Sequence, residues 1–150
     1  MGGYGSSSGR KKEKCYYDTG NNKVTDNNSI AVAEYYINQG KYVAFLQQRK
    51  GQKRADLSVE GVHVEVKGMS SRNPSVVADN IEYAFQQISG DNYRYPPETH
   101  RDGVVIILSK YSSYEEAYKI VNEGLQEAYR KRAVKGKVKL FHAGTMYDMN

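Results

Sequence analysis

Tryptophan is absent from this chain, cysteine occurs once, and histidine and proline three times each. A lone Cys15 excludes an intrachain disulfide framework and any cysteine-cluster zinc site, and it points to a reducing working environment. Three scattered histidines (His63, His100, His142) argue against a histidine-rich metal centre. No apolar run approaches the roughly 20 residues that span a bilayer. No secretory signal pattern opens the chain. Membrane association of this domain is therefore not expected.

At 150 residues the chain has the length of one domain able to build its own core. The net charge is +5, from 22 basic and 17 acidic residues, a modest indication of a polyanionic partner. The distribution says more than the total. Arg130, Lys131, Arg132, Lys135, Lys137 and Lys139 follow one another with no acid between them. They read either as sequence-independent phosphate contacts or as a soluble helix end, where cations favour the negative pole of the dipole. The fourteen tyrosines suit amphipathic filling of a small core, with base stacking as the other use.

Residues 1–22 are rich in Gly, Ser and Lys without periodicity and read as a flexible lead-in, leaving 23–150 as the folded domain. Asp26-Asn27-Asn28-Ser29 offers N-cap side chains for a helix to about Gln39, stopped by Gly40. Ile30, Ala33, Glu34 and Ile37 fall on one face of it. Glu34 is anomalous on such a stripe: it is either a site carboxylate or an edge residue reaching water. Residues 41–46 form a strand, and 47–53 a polar link. A helix over 75–89 turns Val77, Ile81, Ala84, Phe85 and Ile88 inward, and 90–101 is a polar loop. The apolar run 103–108 is a strand buried on both faces. A third helix spans 114–132 and a last strand 137–142. The order α-β-β-β-α-β-α-β implies an α/β fold, a mixed sheet flanked by helices.

The most informative stretch is residues 54–68. Strict alternation places Ala55, Leu57, Val59, Val62, Val64 and Val66 on one face of a β-hairpin, and Arg54, Asp56, Ser58, His63, Glu65 and Lys67 on the other. With Glu60-Gly61 as a two-residue turn, Val59 pairs with Val62 and Asp56 lies opposite Glu65. Facing carboxylates repel at that spacing. A divalent cation would compensate them, and Lys67 stands two residues on. The alternative is a solvated hairpin whose outer face is simply charged.

Glu34 on a first helix, then Asp56 and Glu65-Val66-Lys67 on a hairpin followed by a helix, resembles the core motif of the PD-(D/E)xK nuclease superfamily, although Arg54-Ala55 stands where the proline would precede Asp56. Ala33, Gly40-Lys41-Tyr42-Val43, Arg54-Ala55-Asp56-Leu57, Val64 to Gly68 and Ala84-Phe85-Gln86-Gln87 more narrowly resemble the C-terminal nuclease toxin domains of contact-dependent growth-inhibition proteins. The likeness covers roughly residues 23–110.

The resemblance implies a restriction-endonuclease-like sheet and a metal-dependent nuclease exported at the end of a larger bacterial protein, acting in the cytoplasm of a competitor. It implies Mg²⁺ or Mn²⁺, rather than Zn²⁺, on Asp56, Glu65 and the Val66 carbonyl, with Glu34 holding a second metal or a metal-bound water. Lys67 would position water or stabilise phosphoryl charge. Gln87 would support the site, with Gln86 the neighbouring option. Ser70, Ser71 and Arg72 follow closely enough to touch substrate phosphate, and Arg130, Lys131, Arg132, Lys135 and Lys137 would attract it. His63 reads as a solvated histidine. The implied substrate is tRNA first and DNA next, and the implied protein partner is an acidic immunity protein. A Holliday-junction-resolvase-like DNA endonuclease and a non-catalytic nucleic-acid-binding module are the competing readings.

Overall fold

Two faces of a twisted sheet must be covered, because the central strand is apolar on both. The computed structural model describes residues 15–18, 26–46, 55–89 and 103–150. It contains β1 (Cys15–Asp18), α1 (Asn27–Asn38), β2 (Val43–Leu46), β3 (Leu57–Val59), β4 (Val62–Met69), α2 (Pro74–Ser89), β5 (Gly103–Ser109), α3 (Tyr114–Arg130), β6 (Lys137–His142) and β7 (Thr145–Asp148). The strands form one seven-stranded sheet in chain order. β4, β5 and β6 run parallel, as do β1 and β2, while β2–β3, β3–β4 and β6–β7 are antiparallel. The expected α/β architecture, a mixed sheet flanked by helices, is what the chain adopts.

Alternation along β5 explains the layering. Val105, Ile106 and Ile107 are all fully buried. Ile106 joins the cluster beneath α1, with Val32, Ile37, Phe45, Leu57 and Val64. Val105 and Ile107 join the cluster beneath α2 and α3, with Val77, Ile81, Phe85, Val121 and Leu125.

Helix ends follow local chemistry. Asp26 caps α1 through its side chain, and Gly40 follows the helix at φ 81. Pro74 opens α2, where its missing N–H removes nothing, and the Asn73 side chain accepts the Ser75 N–H at 2.9 Å. Ser113 caps α3, whose first turn carries Glu115 and Glu116 and whose last carries Arg130, in keeping with the dipole.

Several expectations need correction. Strand β1 lies inside the stretch read as a lead-in, and β7 was not anticipated. Both are four-residue strands whose role is set by the neighbour they pair with. Strand β4 runs to Met69, just past the 54–68 stretch expected as the hairpin, because its parallel pairing with β5 extends to Ser109. Helix α3 stops at Arg130, since Arg132 adopts a left-handed φ of 58. Ala55 packs with Leu46 in the α2–α3 cluster instead of alongside Leu57, because the chain bends at Asp56. The polar link 47–53, Arg54 and the loop 90–101 lie outside the described residues, as does most of the lead-in.

Candidate active site

The hairpin register follows from its turn. Glu60 and Gly61 have φ of 50 and 88, the paired left-handed conformation that matches strand twist in two-residue turns. A non-glycine residue there is strained. Glu60 is held by its N–H on the Tyr42 carbonyl (2.8 Å) and by a Lys41 ion pair (3.8 Å). The pairs are Val59–Val62, Ser58–His63 and Leu57–Val64, as alternation predicts. Just outside them the Asp56 N–H donates to the Val64 carbonyl (3.1 Å), and the Val66 N–H donates to Asp56 Oδ2 (3.0 Å). The Asp56 carboxylate thus extends the ladder where β3 begins.

This charged face is only partly solvated: Asp56, Ser58, His63 and Lys67 are half-buried, and one residue is fully enclosed. Glu65 is 2% exposed. Helix α2 lies across that side of β4, and it brings Gln87 to Lys67: the ammonium donates to Gln87 Oε1 at 2.6 Å and stands 3.2 Å from Glu65 Oε2. It also lies 4.7 Å from the centroid of the Tyr83 ring, one helical turn before Gln87. Glu65 Oε1 is buried and no donor reaches it, while the Glu65 carboxyl itself hydrogen-bonds to Asp56. Burial foremost, and then the charge of Asp56, push the Glu65 carboxyl up to about 9 against the pull of Lys67. Burial also raises Asp56, opposed by the Val66 N–H, while the charge of Asp26 adds to the rise.

Asp56, Glu65, Lys67 and Gln87 therefore converge. Glu34 does not join them in this arrangement. The buried face of α1 is Ser29, Val32, Ala33 and Ile37, and Glu34 is exposed beside it. The expected stripe is rotated by about one residue, because Val32 takes a fully buried place that the pattern with Glu34 did not include. The acid of this segment whose charge reaches Asp56 is Asp26. Its capping role was legible in the sequence; its proximity to Asp56 was not. Its Oδ1 accepts the Asn28 N–H (3.0 Å) and its Oδ2 the Ser29 hydroxyl (2.8 Å).

The other sequence candidates are more dispersed. Ser70 is exposed. Ser71 accepts the Asn73 N–H on its hydroxyl (3.1 Å) and the Tyr111 hydroxyl on its carbonyl. Arg72 pairs with Glu116 at 2.7 Å, tying the loop before α2 to α3. Lys131 is engaged by Asp79 (2.6 Å) and Glu82 (3.2 Å) of α2, which offsets part of the basic run. Arg130, Arg132, Lys135 and Lys137 are exposed. Lys137 lies level with Val104 near the start of the parallel strands, whereas Lys67 lies level with Ile107 further along them. Arg132 and Lys135 border a groove of about 320 Å³ with Gln86 and Ser89. His63 is half-buried opposite Ser58.

The donors fit a hard divalent cation. Two carboxylates meet, and no donor reaches one buried oxygen. Among the described residues no group of three or more His, Cys, Asp or Glu side chains gathers. Magnesium is commonly held by one or two carboxylates, with water and substrate phosphate completing its shell, so the pair suffices for that class of site.

No protein-family model matches the sequence, and no curated protein does. The fold is similar to a chain of a CdiA-CT/CdiI toxin and immunity complex from Burkholderia pseudomallei. The TM-score is 0.53 at 13% identity, over 88% of this chain and 96% of that one. At that identity the likeness is one of fold.

Proposed function

We propose that this domain is a metal-dependent nuclease that acts as a toxin and is neutralised by a dedicated immunity protein. The observation that carries the nuclease reading is the pairing of half-buried Asp56 with buried Glu65, one of whose oxygens no donor reaches, set beside an ammonium that Gln87 holds in place. Burying two acids together disfavours their ionised forms, and such an arrangement is more readily explained by a ligand than by stability. Its resemblance to the Asp…Glu-x-Lys core of PD-(D/E)xK nucleases supports the same reading. The fold shared with a chain of a toxin–immunity complex supports the biological role.

Asp56, Glu65 and the Val66 carbonyl would hold Mg²⁺ or Mn²⁺. When bound, that ion supplies Lewis-acid stabilisation of phosphoryl oxygens and a more acidic water. The chain's own residues do the rest. Lys67 presents positive charge toward the scissile phosphate and offsets charge that develops in the transition state. Gln87 Oε1 accepts a hydrogen bond from it and so fixes where the ammonium points. Asp26 keeps the negative potential at Asp56 high, which favours a cation there. Glu34, exposed on α1, would contribute through a metal-bound water, and Asp26 is the acid of that segment whose charge reaches Asp56. Ser70, Ser71, Arg72 and the exposed basic residues Arg130, Arg132, Lys135 and Lys137 would add phosphate contacts of low sequence specificity.

Purified protein is incubated with total tRNA and with plasmid DNA, with Mg²⁺ or EDTA, and the ends are mapped. Mg²⁺-dependent cleavage of tRNA is the expected result. Degraded plasmid with intact tRNA would move the substrate to DNA. No cleavage of either, by protein shown to be folded, would leave a binding module and refute the enzyme.

A further inference from the structure

One ring beside the carboxylate cluster plays no part in the mechanism above. Tyr83 is 48% exposed, although the buried face of α2 is well supplied with Val77, Ala78, Ile81, Ala84, Phe85 and Ile88. It does not belong to that face. It lies one turn before Gln87, on the side of the helix that meets Lys67, with the lysine Nζ 4.7 Å from its centroid. The same Nζ is 2.6 Å from Gln87 Oε1 and 3.2 Å from Glu65 Oε2. The ring therefore rims the cluster, beside a cation and about half open to water.

We infer that Tyr83 is a base-stacking residue, which seats a nucleobase flanking the scissile phosphate; this rests on the nuclease reading and specifies how its substrate is held. A base hangs one sugar away from its phosphate, so a ring beside the phosphate-facing ammonium lies where a flanking base would fall. Stacking on tyrosine tolerates any base, because every base presents a π-face. It also requires that base to be unstacked, which selects single-stranded or loop nucleotides over the interior of a duplex. The competing role is structural: the ring could serve only to orient Lys67 through its cation–π contact.

The test uses a short single-stranded oligonucleotide spanning the mapped cleavage site, and the same strand with an abasic residue on either side of the bond. Its readouts are KM and kcat, together with the affinity of uncleaved strands measured in EDTA. Tyr83→Leu is expected to weaken binding by about 5- to 100-fold, seen mainly in KM, and Tyr83→Phe to restore it. Removing the flanking base should cost the wild type a similar factor and Tyr83→Leu little, because the two changes delete the same contact. Loss of kcat at unchanged KM in Tyr83→Leu, or equal sensitivity of both proteins to base removal, would assign the ring to Lys67 and overturn the proposal. A wild-type protein that cleaves nothing refutes the nuclease reading instead. The binding arm, run then with a single-stranded homopolymer and its abasic counterpart, still decides the stacking, and equal affinity for intact and abasic strands refutes it.

Discussion

A carboxyl as enclosed as that of Glu65 links stability to pH. Its proton is held up to about 9 in the folded chain, against 4.5 for an ordinary glutamic acid. Between those values the folded state binds a proton that the unfolded state has released, so stability must fall as pH rises through this window. Thermal melts in EDTA at pH 5, 7 and 9 should show that decline. Glu65→Gln needs no proton and keeps the volume, so its melting temperature should vary less with pH and exceed the wild type's at pH 9. The same substitution should abolish cleavage if the proposed metal site is right. A wild-type-like slope in Glu65→Gln would show that the shift arises elsewhere. A divalent cation must displace the proton, so Mg²⁺ should raise the melting temperature more at pH 9 than at pH 6, and chelation should reverse it. A uniform effect of Mg²⁺ across pH would place the ion away from this pair.

At the scale of elements, the packing of α2 on α3 sets where Gln87 and Tyr83 stand. Gly124 of α3 is the closest approach: a Cβ there would sit 2.4 Å from Val77 Cγ1, 2.5 Å from Val77 Cβ and 3.2 Å from the Pro74 carbonyl. Alanine is the better helix former by roughly 1 kcal/mol, whereas overpacking costs about 1–3 kcal/mol. The clash involves Val77 Cβ, which is fixed to the backbone and cannot swing aside, so overpacking should win. Gly124→Ala is expected to destabilise by on the order of 1 kcal/mol in urea titrations. A stabilised variant would mean that the two helices can separate at little cost. Gly68 makes a useful contrast. Its Cβ would meet the ends of Asn28 and Lys110, at 2.7 and 2.9 Å, and both side chains can move. Gly68→Ala should therefore change stability less than Gly124→Ala, measured in the same titration.

For the whole molecule, the +5 charge bears on partners more than on fold. An acidic inhibitor covering the basic surface would associate quickly, bury about 1,200–2,000 Å² and exclude nucleic acid. The proposed toxin role then makes a cellular prediction. Expression of this chain alone in bacteria should arrest growth, Asp56→Ala should not, and co-expression of the neighbouring open reading frame should relieve the arrest. Harmless accumulation of an active nuclease would favour the resolvase-like reading over the toxin. Removal of Asp56 takes away a charge facing Glu65 but also the acceptor of the Val66 N–H, and these offset, so the metal-free variant should keep its fold, which circular dichroism would check.

The sequence by itself determined what lies along each chain segment. Alternation placed Asp56, Glu65 and Lys67 on one hairpin side, the Glu60-Gly61 turn set their register, and caps at Asp26 and Gly40 bounded α1. Those are local signals, since side-chain direction repeats every two residues in a strand and every 3.6 in a helix. Alternation names a face without saying what covers it. Only the tertiary structure laid α2 over the charged face, which turned a hairpin compatible with a solvated surface into one with a buried acid and brought Gln87 and Tyr83 to Lys67. It also turned Glu34 outward and brought the charge of Asp26 within reach of Asp56, because a helix shows its orientation only when docked: one residue of rotation separates Glu34 from the core face. Strands β1 and β7 escaped sequence reading for a related reason. Segments of four residues acquire meaning from a partner strand, and pairing is decided across the sheet rather than along the chain.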